Sequence, residues 1–176
     1  MDNYILGLDP STKATGYSVF KNAELIDHGV ITASSSNVFH RIDKMILELE
    51  KILKKYPIND CIVEDVIPED VRHNNNVFKP LIYLQGFICH LLDKYNIKPS
   101  FYVASEWRKR CGIKTGAGIK RESLKPKDIA FVKKIYGINV GDDEADGICI
   151  AYAYTHDPIP VTDEPQVVVV DGFEFA

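Results

Sequence analysis

The sequence predicts a mixed α/β domain, and three observations carry that prediction. Apolar runs of strand type open the chain in quick succession, at Tyr4–Leu8, Tyr17–Phe20 and Glu24–Thr32. An apolar stripe at helical spacing comes next, over Val38–Tyr56. Two more strand-like runs, Cys61–Val66 and Phe101–Val103, alternate with helical segments, the ordering expected of a sheet flanked by helices. At 176 residues the chain is large enough for one domain with a real hydrophobic core.

The first run ends in a carboxylate, Asp9, and the turn Pro10-Ser11-Thr12 comes at once; Gly16 opens the second run. Glu24 to Thr32 alternates as a third strand, and the polar loop Ala33–Asn37 supplies a helix N-cap. Val38, Ile42, Met45, Ile46, Leu49, Ile52, Leu53 and Tyr56 then share one helix face, with charged residues between them, until Pro57 stops the helix. The buried-strand pattern Cys61–Val66 is interrupted by Glu64 and Asp65. Ile67 to Asn76, rich in asparagine and charge, reads as a loop. Val77–Tyr95 reads as a helix whose centre, Leu81–Cys89, is apolar nearly all round. One side of such a helix covers the sheet and the other is available to a second subunit.

Pro99 precedes the fifth strand. A short helix is expected around Ser105–Arg110, then a glycine-rich loop from Gly112 to Gly118, then a longer helix with Pro126 near its start and Gly137 at its end. The last helix spans Asp142–Tyr154, with its carboxylates in the first turn, where the helix dipole favours negative charge. Pro158, Pro160 and Pro165 punctuate the final stretch of the chain, and Val167–Val170 is suited to pair as an edge strand. The expected organisation is a domain over residues 1–156 and a tail over 157–176 with no assignable role.

No apolar run approaches the roughly 20 residues of a membrane span. The opening Met1-Asp2-Asn3 lacks the basic region of a secretory signal. Cys61, Cys89, Cys111 and Cys149 are widely spaced, which predicts reduced, buried thiols and cytoplasmic residence. His28, His40, His73, His90 and His156 have no ligand-spaced partner and read as structural or solvated.

Charge, by contrast, is segregated. Ala104 to Lys134 holds ten basic residues against three acidic ones, a surplus of seven on a chain of net charge −4, so the remainder carries −11. Arg108, Lys109, Arg110, Lys114, Lys120 and Arg121 lead this run and mark a cationic face for a polyanion, although a solvated helix face is the plainer alternative. Gly112, Gly116 and Gly118 in the same run add backbone that can approach phosphates closely. Trp107, within it, suits base stacking or a place in the core.

Against that cationic face stand the carboxylates. Asp9 and Glu64 each lie at or inside an apolar strand, where an ionised group is costly unless paired or bound to a cation. Asp143 and Asp146, three apart at a helix start, share a face; so do Asp142 and Asp146, four apart, and spacing does not choose between them. Capping and turn closure would account for each acid singly. Converging, they suit a hard divalent cation with oxygen ligands, Mg2+ or Mn2+. The chemistry such a site favours is two-metal phosphodiester hydrolysis, with ions about 4 Å apart.

The pattern Ile5-Leu6-Gly7-Leu8-Asp9-Pro10-Ser11 with Thr15-Gly16-Tyr17, then Val63-Glu64, then Asp143-Glu144-Ala145-Asp146, resembles the RuvC family of Holliday junction resolvases, and more narrowly its phage-type and Gram-positive relatives. The resemblance covers about residues 4–156. It implies a ribonuclease H-like fold, with a central mixed five-stranded sheet flanked by helices. It also implies a homodimeric enzyme of the bacterial cytoplasm, cellular or phage-encoded, that cuts branched DNA such as four-way junctions and leaves 5′-phosphate and 3′-hydroxyl ends. Mg2+, replaceable by Mn2+, would serve as two ions per active site, held by Asp9, Glu64, Asp143 and Asp146; no small-molecule cofactor and no membrane are implied. The family's basic residues fall in the region of Arg108 to Lys120, with Lys114, Lys120 and Arg121 as candidates. Where bacterial members carry an aromatic residue after the second carboxylate, this chain has Val66 and Ile67.

Other classes fit less well. Phosphotransferases of the actin and sugar-kinase type also follow a first strand with Gly-x-Asp, but they need a second such domain and a second phosphate loop. A non-catalytic nucleic-acid binding module gains nothing from acids facing phosphates. A related nuclease acting on flaps or structured RNA is the nearest alternative.

Overall fold

The computed structural model describes residues 2–67, 75–116, 118–161, 168–170 and 173–175. Strands β1 (Tyr4–Asp9), β2 (Ala14–Lys21) and β3 (Glu24–Thr32) form an antiparallel meander. Helix α1 (Val38–Lys55) leads to β4 (Asp60–Glu64), and α2 (Asn75–Lys94) leads to β5 (Pro99–Tyr102). Both β4 and β5 run parallel to β1, giving one mixed sheet in the order β3-β2-β1-β4-β5. Helices α3 (Ala104–Arg110), α4 (Lys125–Tyr136) and α5 (Asp142–Thr155) complete the domain.

Side-chain alternation along the strands divides the core in two. Leu6, Leu8, Val19, Cys61 and Val63 point to the face covered by Ile42, Met45 and Leu49 of α1 and Leu84, Ile88 and Leu92 of α2. Ile5, Phe20 and Ile62 point to the other face, against Trp107 of α3, Phe131 and Val132 of α4, and Ile148, Cys149 and Tyr152 of α5. This parity bears directly on the carboxylates. Asp9 lies four residues beyond Ile5 and Glu64 two beyond Ile62, so both belong to the face beneath α5.

The predicted helix signals hold where they can be checked. Asn37 caps α1, its side chain accepting from the Phe39 amide, and Gly137 ends α4 at φ 70°, the left-handed conformation glycine adopts freely. α2 buries Leu84, Ile88, Leu91 and Leu92 and leaves Ile82, Tyr83 and Phe87 exposed, so an apolar side faces outward as expected. Among the described residues no helix is long and apolar enough to cross a membrane.

Two boundaries differ from expectation. β2 begins at Ala14 because its ladder with β3 continues to the pair Ala14↔Thr32. β5 begins at Pro99, where the missing N–H is tolerated at the start of a sheet-edge strand, while Val103 serves as the N-cap of α3. In the tail, β6 (Val168–Val170) pairs antiparallel with β7 (Phe173–Phe175) in a separate two-stranded sheet, so the strand expected over Val167–Val170 does pair, apart from the main sheet, and Val167 lies outside the described residues. The two strands are near neighbours in the chain, so their pairing needs no long loop closure. Of the expected loop at 67–76, residues 68–74 lie outside the described residues.

Candidate active site

Asp9 and Glu64 end adjacent parallel strands: the β1–β4 register runs from Ile5↔Asp60 to Leu8↔Val63, and each acid is the next residue on its strand. Across β1 from Asp9 stands Gly16, and the first turn of α5 rests directly on it. A Cβ at Gly16 would fall 1.7 Å from the Asp143 carbonyl oxygen, and one at Gly147 would fall 2.8 Å from the Gly16 carbonyl carbon. One turn further on, a Cβ at Gly7 would meet the Ala151 Cβ at 2.7 Å. Ser18 Oγ, itself buried, donates to the Gly147 carbonyl at 2.7 Å and ties the same seam. The absence of side chains along this line lets α5 lie on the sheet and brings its acidic first turn to the end of β1.

Asp146 is 5 % exposed. Its Oδ2 takes the Arg108 guanidinium at 3.4 Å, while its Oδ1 is buried without a hydrogen-bond partner. Burial, and then the charges of Asp9 and Asp128, push this carboxyl up to about 9. Asp143 is also raised, by burial and by the neighbouring Asp142. Asp142 is turned to Lys125 of α4, and that ion pair lowers it. From β3, His28 Nδ1 lies 2.6 Å from Glu144 Oε1 and holds the outer side of the same turn.

Arg108 belongs to this buried cluster and not to a solvent face: it is 5 % exposed. Its Nε donates to Asp128 at 3.2 and 2.9 Å, and its Nη2 lies 2.8 Å from Asp128 and 3.4 Å from Asp146. Burial raises Asp128 even against the adjacent guanidinium. Two carboxyl groups thus share one guanidinium, and the raised Asp146 takes up a proton at neutral pH unless a second cation is supplied. Trp107, preceding Arg108, is fully buried and donates its indole N–H to Glu64 Oε2 at 2.9 Å. Sequence reading passes over Asp128 as a counter-charge in a basic run; its only signal is its place on the apolar side of a helix beside Phe131 and Val132.

The remaining cations separate by environment. Arg110 Nε donates to the Ala153 carbonyl at 2.6 Å, a tie between α3 and α5. Lys109, Lys114 and Lys120 are exposed. They flank or line a loop in which Gly112, Gly116 and Gly118 take φ of 74°, 137° and 85°, values that favour glycine. The side chain of Arg121 lies outside the described residues.

Among the described residues no three His, Cys, Asp or Glu side chains are close enough to cage an ion as they stand. The donor set nevertheless fits one. Asp146 Oδ1 is buried without a hydrogen-bond partner, and the charges of Asp9 and Asp128 bear on it; a hard cation with oxygen ligands suits such a set and would let the carboxyl ionise.

A mixed sheet of this order, with acids on the ends of β1 and β4 and in the first turns of α5, defines the ribonuclease H-like class. Within it, a family profile described as crossover junction endodeoxyribonuclease RuvC matches residues 5–154. RuvC of Rickettsia africae is 28 % identical over 153 residues, covering 84 % of this chain and 94 % of that protein. RuvC of Orientia tsutsugamushi strain Boryong is 29 % identical over 155 residues, covering 84 % and 92 %. Among solved structures, Thermus thermophilus RuvC in complex with Holliday junction substrate superimposes with a TM-score of 0.68 at 14 % identity, over 89 % of this chain and 99 % of that one. The yeast mitochondrial Holliday junction resolvase Ydc2 gives 0.57 at 13 %, over 86 % and 78 %. This chain belongs to the RuvC family of crossover junction endodeoxyribonucleases.

Proposed function

We propose that this chain resolves Holliday junctions and other branched DNA by metal-dependent phosphodiester hydrolysis, leaving 5′-phosphate and 3′-hydroxyl ends. The observation that carries the reading is the unpartnered, buried Asp146 oxygen beside Asp9, on the sheet face that Glu64 shares. Asp9, Glu64, Asp143 and Asp146 would hold two Mg2+ ions, for which Mn2+ would substitute. Bound there, the ions supply an activated water and neutralise the leaving oxygen. The chain's own part is to fix the acids through the α5 seam, to hold Asp146 against Arg108, and to turn Asp142 away toward Lys125. Asp143 is accordingly the preferred partner of Asp146 at the ions.

Lys109, Lys114, Lys120 and Arg121 would contact the DNA backbone, and Arg108 would act from within the site. Two opposed strands require two sites, so the working form is a homodimer, and the exposed Ile82, Tyr83 and Phe87 of α2 with Phe39 of α1 are the face proposed for a second copy. Residues 1–156 would form the nuclease domain and 157–176 an appended tail, in a protein of the bacterial cytoplasm.

The test is cleavage of a synthetic four-way junction with Mg2+ and with EDTA, comparing the native chain with Asp9→Asn. Paired, symmetric nicks that need both the metal and Asp9, with junction binding retained in the variant, are expected. Preferential cutting of flaps or structured RNA would reassign the substrate. Metal-independent cutting, or none by a folded chain, would overturn the reading.

A further inference from the structure

Trp107 is the single tryptophan of the chain, and it points into the protein with no exposed surface. That placement removes it from base stacking and leaves its hydrogen bond to be explained. An indole N–H is a donor only, so when buried it must find an acceptor. Here the acceptor is Glu64 Oε2 at 2.9 Å, on a different element 43 residues away. The guanidinium carbon of Arg108 lies 4.1 Å from the centre of the Trp107 ring, and Arg108 in turn grips Asp128 and Asp146. Two successive residues of one short helix therefore reach both β4 and α5. The ring is fully buried in the core that includes Ile62, Cys111, Ile113 and Ile148, where close packing keeps the donor from following Glu64 if that side chain turns.

We propose that Trp107 is a positioning residue for the cleavage reaction: its indole N–H holds the Glu64 carboxylate through Oε2 and so fixes the orientation of that side chain at the cation site. The inference rests on the reading of Glu64 as a metal ligand. A glutamate at a strand end has several rotamers, and a rigid donor selects one of them. Outer partners of this kind typically govern about 10- to 100-fold in metal affinity or activity. Because no second tryptophan contributes to the emission, the same residue is a built-in reporter: a cation drawn to Glu64 alters the field at the indole N–H.

The deciding experiment replaces Trp107 with 3-benzothienylalanine by nonsense suppression, which keeps the bicyclic shape and exchanges the N–H for sulfur. Trp107→Phe serves as a genetically simple second variant. For each, kcat and KM on a four-way junction are measured together with the Mg2+ concentration giving half-maximal cleavage. The expected result is a fall in kcat, and a rise in half-saturating Mg2+, of about 10- to 100-fold with KM for the junction unchanged. In parallel the emission of the native chain is titrated with Mg2+, without DNA; it should shift at saturation and stay constant in Glu64→Gln. If Trp107→Phe fails to fold by circular dichroism, the benzothienyl variant and the native titration still decide. Native kcat and native Mg2+ response in the benzothienyl variant would overturn the proposal, as would a loss of thermal stability with no change in Mg2+ response. A native chain that cuts junctions without Mg2+, or binds none by calorimetry, would instead overturn the metal reading itself, before any substitution is made.

Discussion

Alanine at Gly16 would put a methyl group where the backbone of α5 already lies. The new Cβ would sit 1.7 Å from the Asp143 carbonyl oxygen and 2.6 Å from its carbon, whereas ordinary contact begins at 3.4 Å. No flexible side chain is available to give way, so strand and helix must part by roughly 1.7 Å, carrying Asp143 and Asp146 away from Asp9. Overpacking of this kind costs about 1–3 kcal/mol, and in a chain of this size each kcal/mol lowers the melting temperature by about 2–4 °C. Displacement of reacting groups by about 1 Å costs on the order of 100-fold in rate. Single-turnover junction cleavage in Mg2+ should therefore fall by about 100-fold or more. Melting should drop by about 2–12 °C. Junction binding in EDTA should change little, because the exposed lysines sit on other elements. Gly86→Ala is a control for stability only, since Gly86 lies beside Tyr83 and Phe87 on the face proposed for a second copy: within the chain nothing lies within 4 Å of its added Cβ, and in a helix interior the exchange should stabilise by about 0.5–1 kcal/mol. Native cleavage and native melting in Gly16→Ala would refute the claim that this seam sets the position of the acids.

Four further outcomes are expected. Asp146→Asn should melt higher than the native chain in EDTA at neutral pH, because the native carboxyl, raised to about 9 by burial and by Asp9 and Asp128, must take up on folding a proton that the unfolded group has lost, and Asn needs none; added Mg2+ should stabilise only the native chain, and a lower melting temperature in EDTA would contradict the argument. Arg108→Ala should destabilise by about 3–5 kcal/mol in urea titrations, by stranding two buried carboxylates, whereas Lys109→Ala should leave stability unchanged and weaken only DNA binding. Junction affinity should fall steeply with salt, and removing Lys114 or Lys120 should each reduce the slope by about one; a flat response would exclude a cationic DNA face. Glu50, held down to about 2 by Lys94, Tyr95 and Lys54, binds α1 to α2. Its folded pKa lies below the unfolded value of about 4.3, so its contribution is present above that value and lost as pH falls toward about 2. Glu50→Gln should thus narrow its stability difference from the native chain across that window in denaturant titrations.

Much of this architecture is readable before folding because the signals are local. Apolar alternation in β1 and β4 fixes which face each residue takes, and a carboxylate inside such a run is conspicuous wherever the strand lies. Asn37 and Gly137 announce helix ends through chemistry confined to a few residues. The unread part depends on contacts between distant segments. Nothing near Trp107 in the chain indicates that its donor meets Glu64, and Arg108 looks like its basic neighbours until Asp128 and Asp146 are brought to it. Gly16 likewise reads only as the opening of the second strand, and the docking of α5 alone gives its missing side chain a purpose. The tail pairing differs in kind, since its two β-rich triplets are near neighbours in the chain.

The alternation that sets Ile5 and Asp9 on one face and Leu6 and Leu8 on the other has a consequence for how this lineage can drift. A one-residue insertion or deletion within β1 exchanges the faces, sending Asp9 toward α1 and α2 while turning leucines against α5, which lies too close to the strand at Gly7 to admit a side chain. Frame within that strand is thus inherited as a unit: the same indel that silences the enzyme also unfolds it. Length variation among descendants should collect in turns and in the glycine-rich loop, and purifying selection on β1 should act on spacing as strictly as on residue identity.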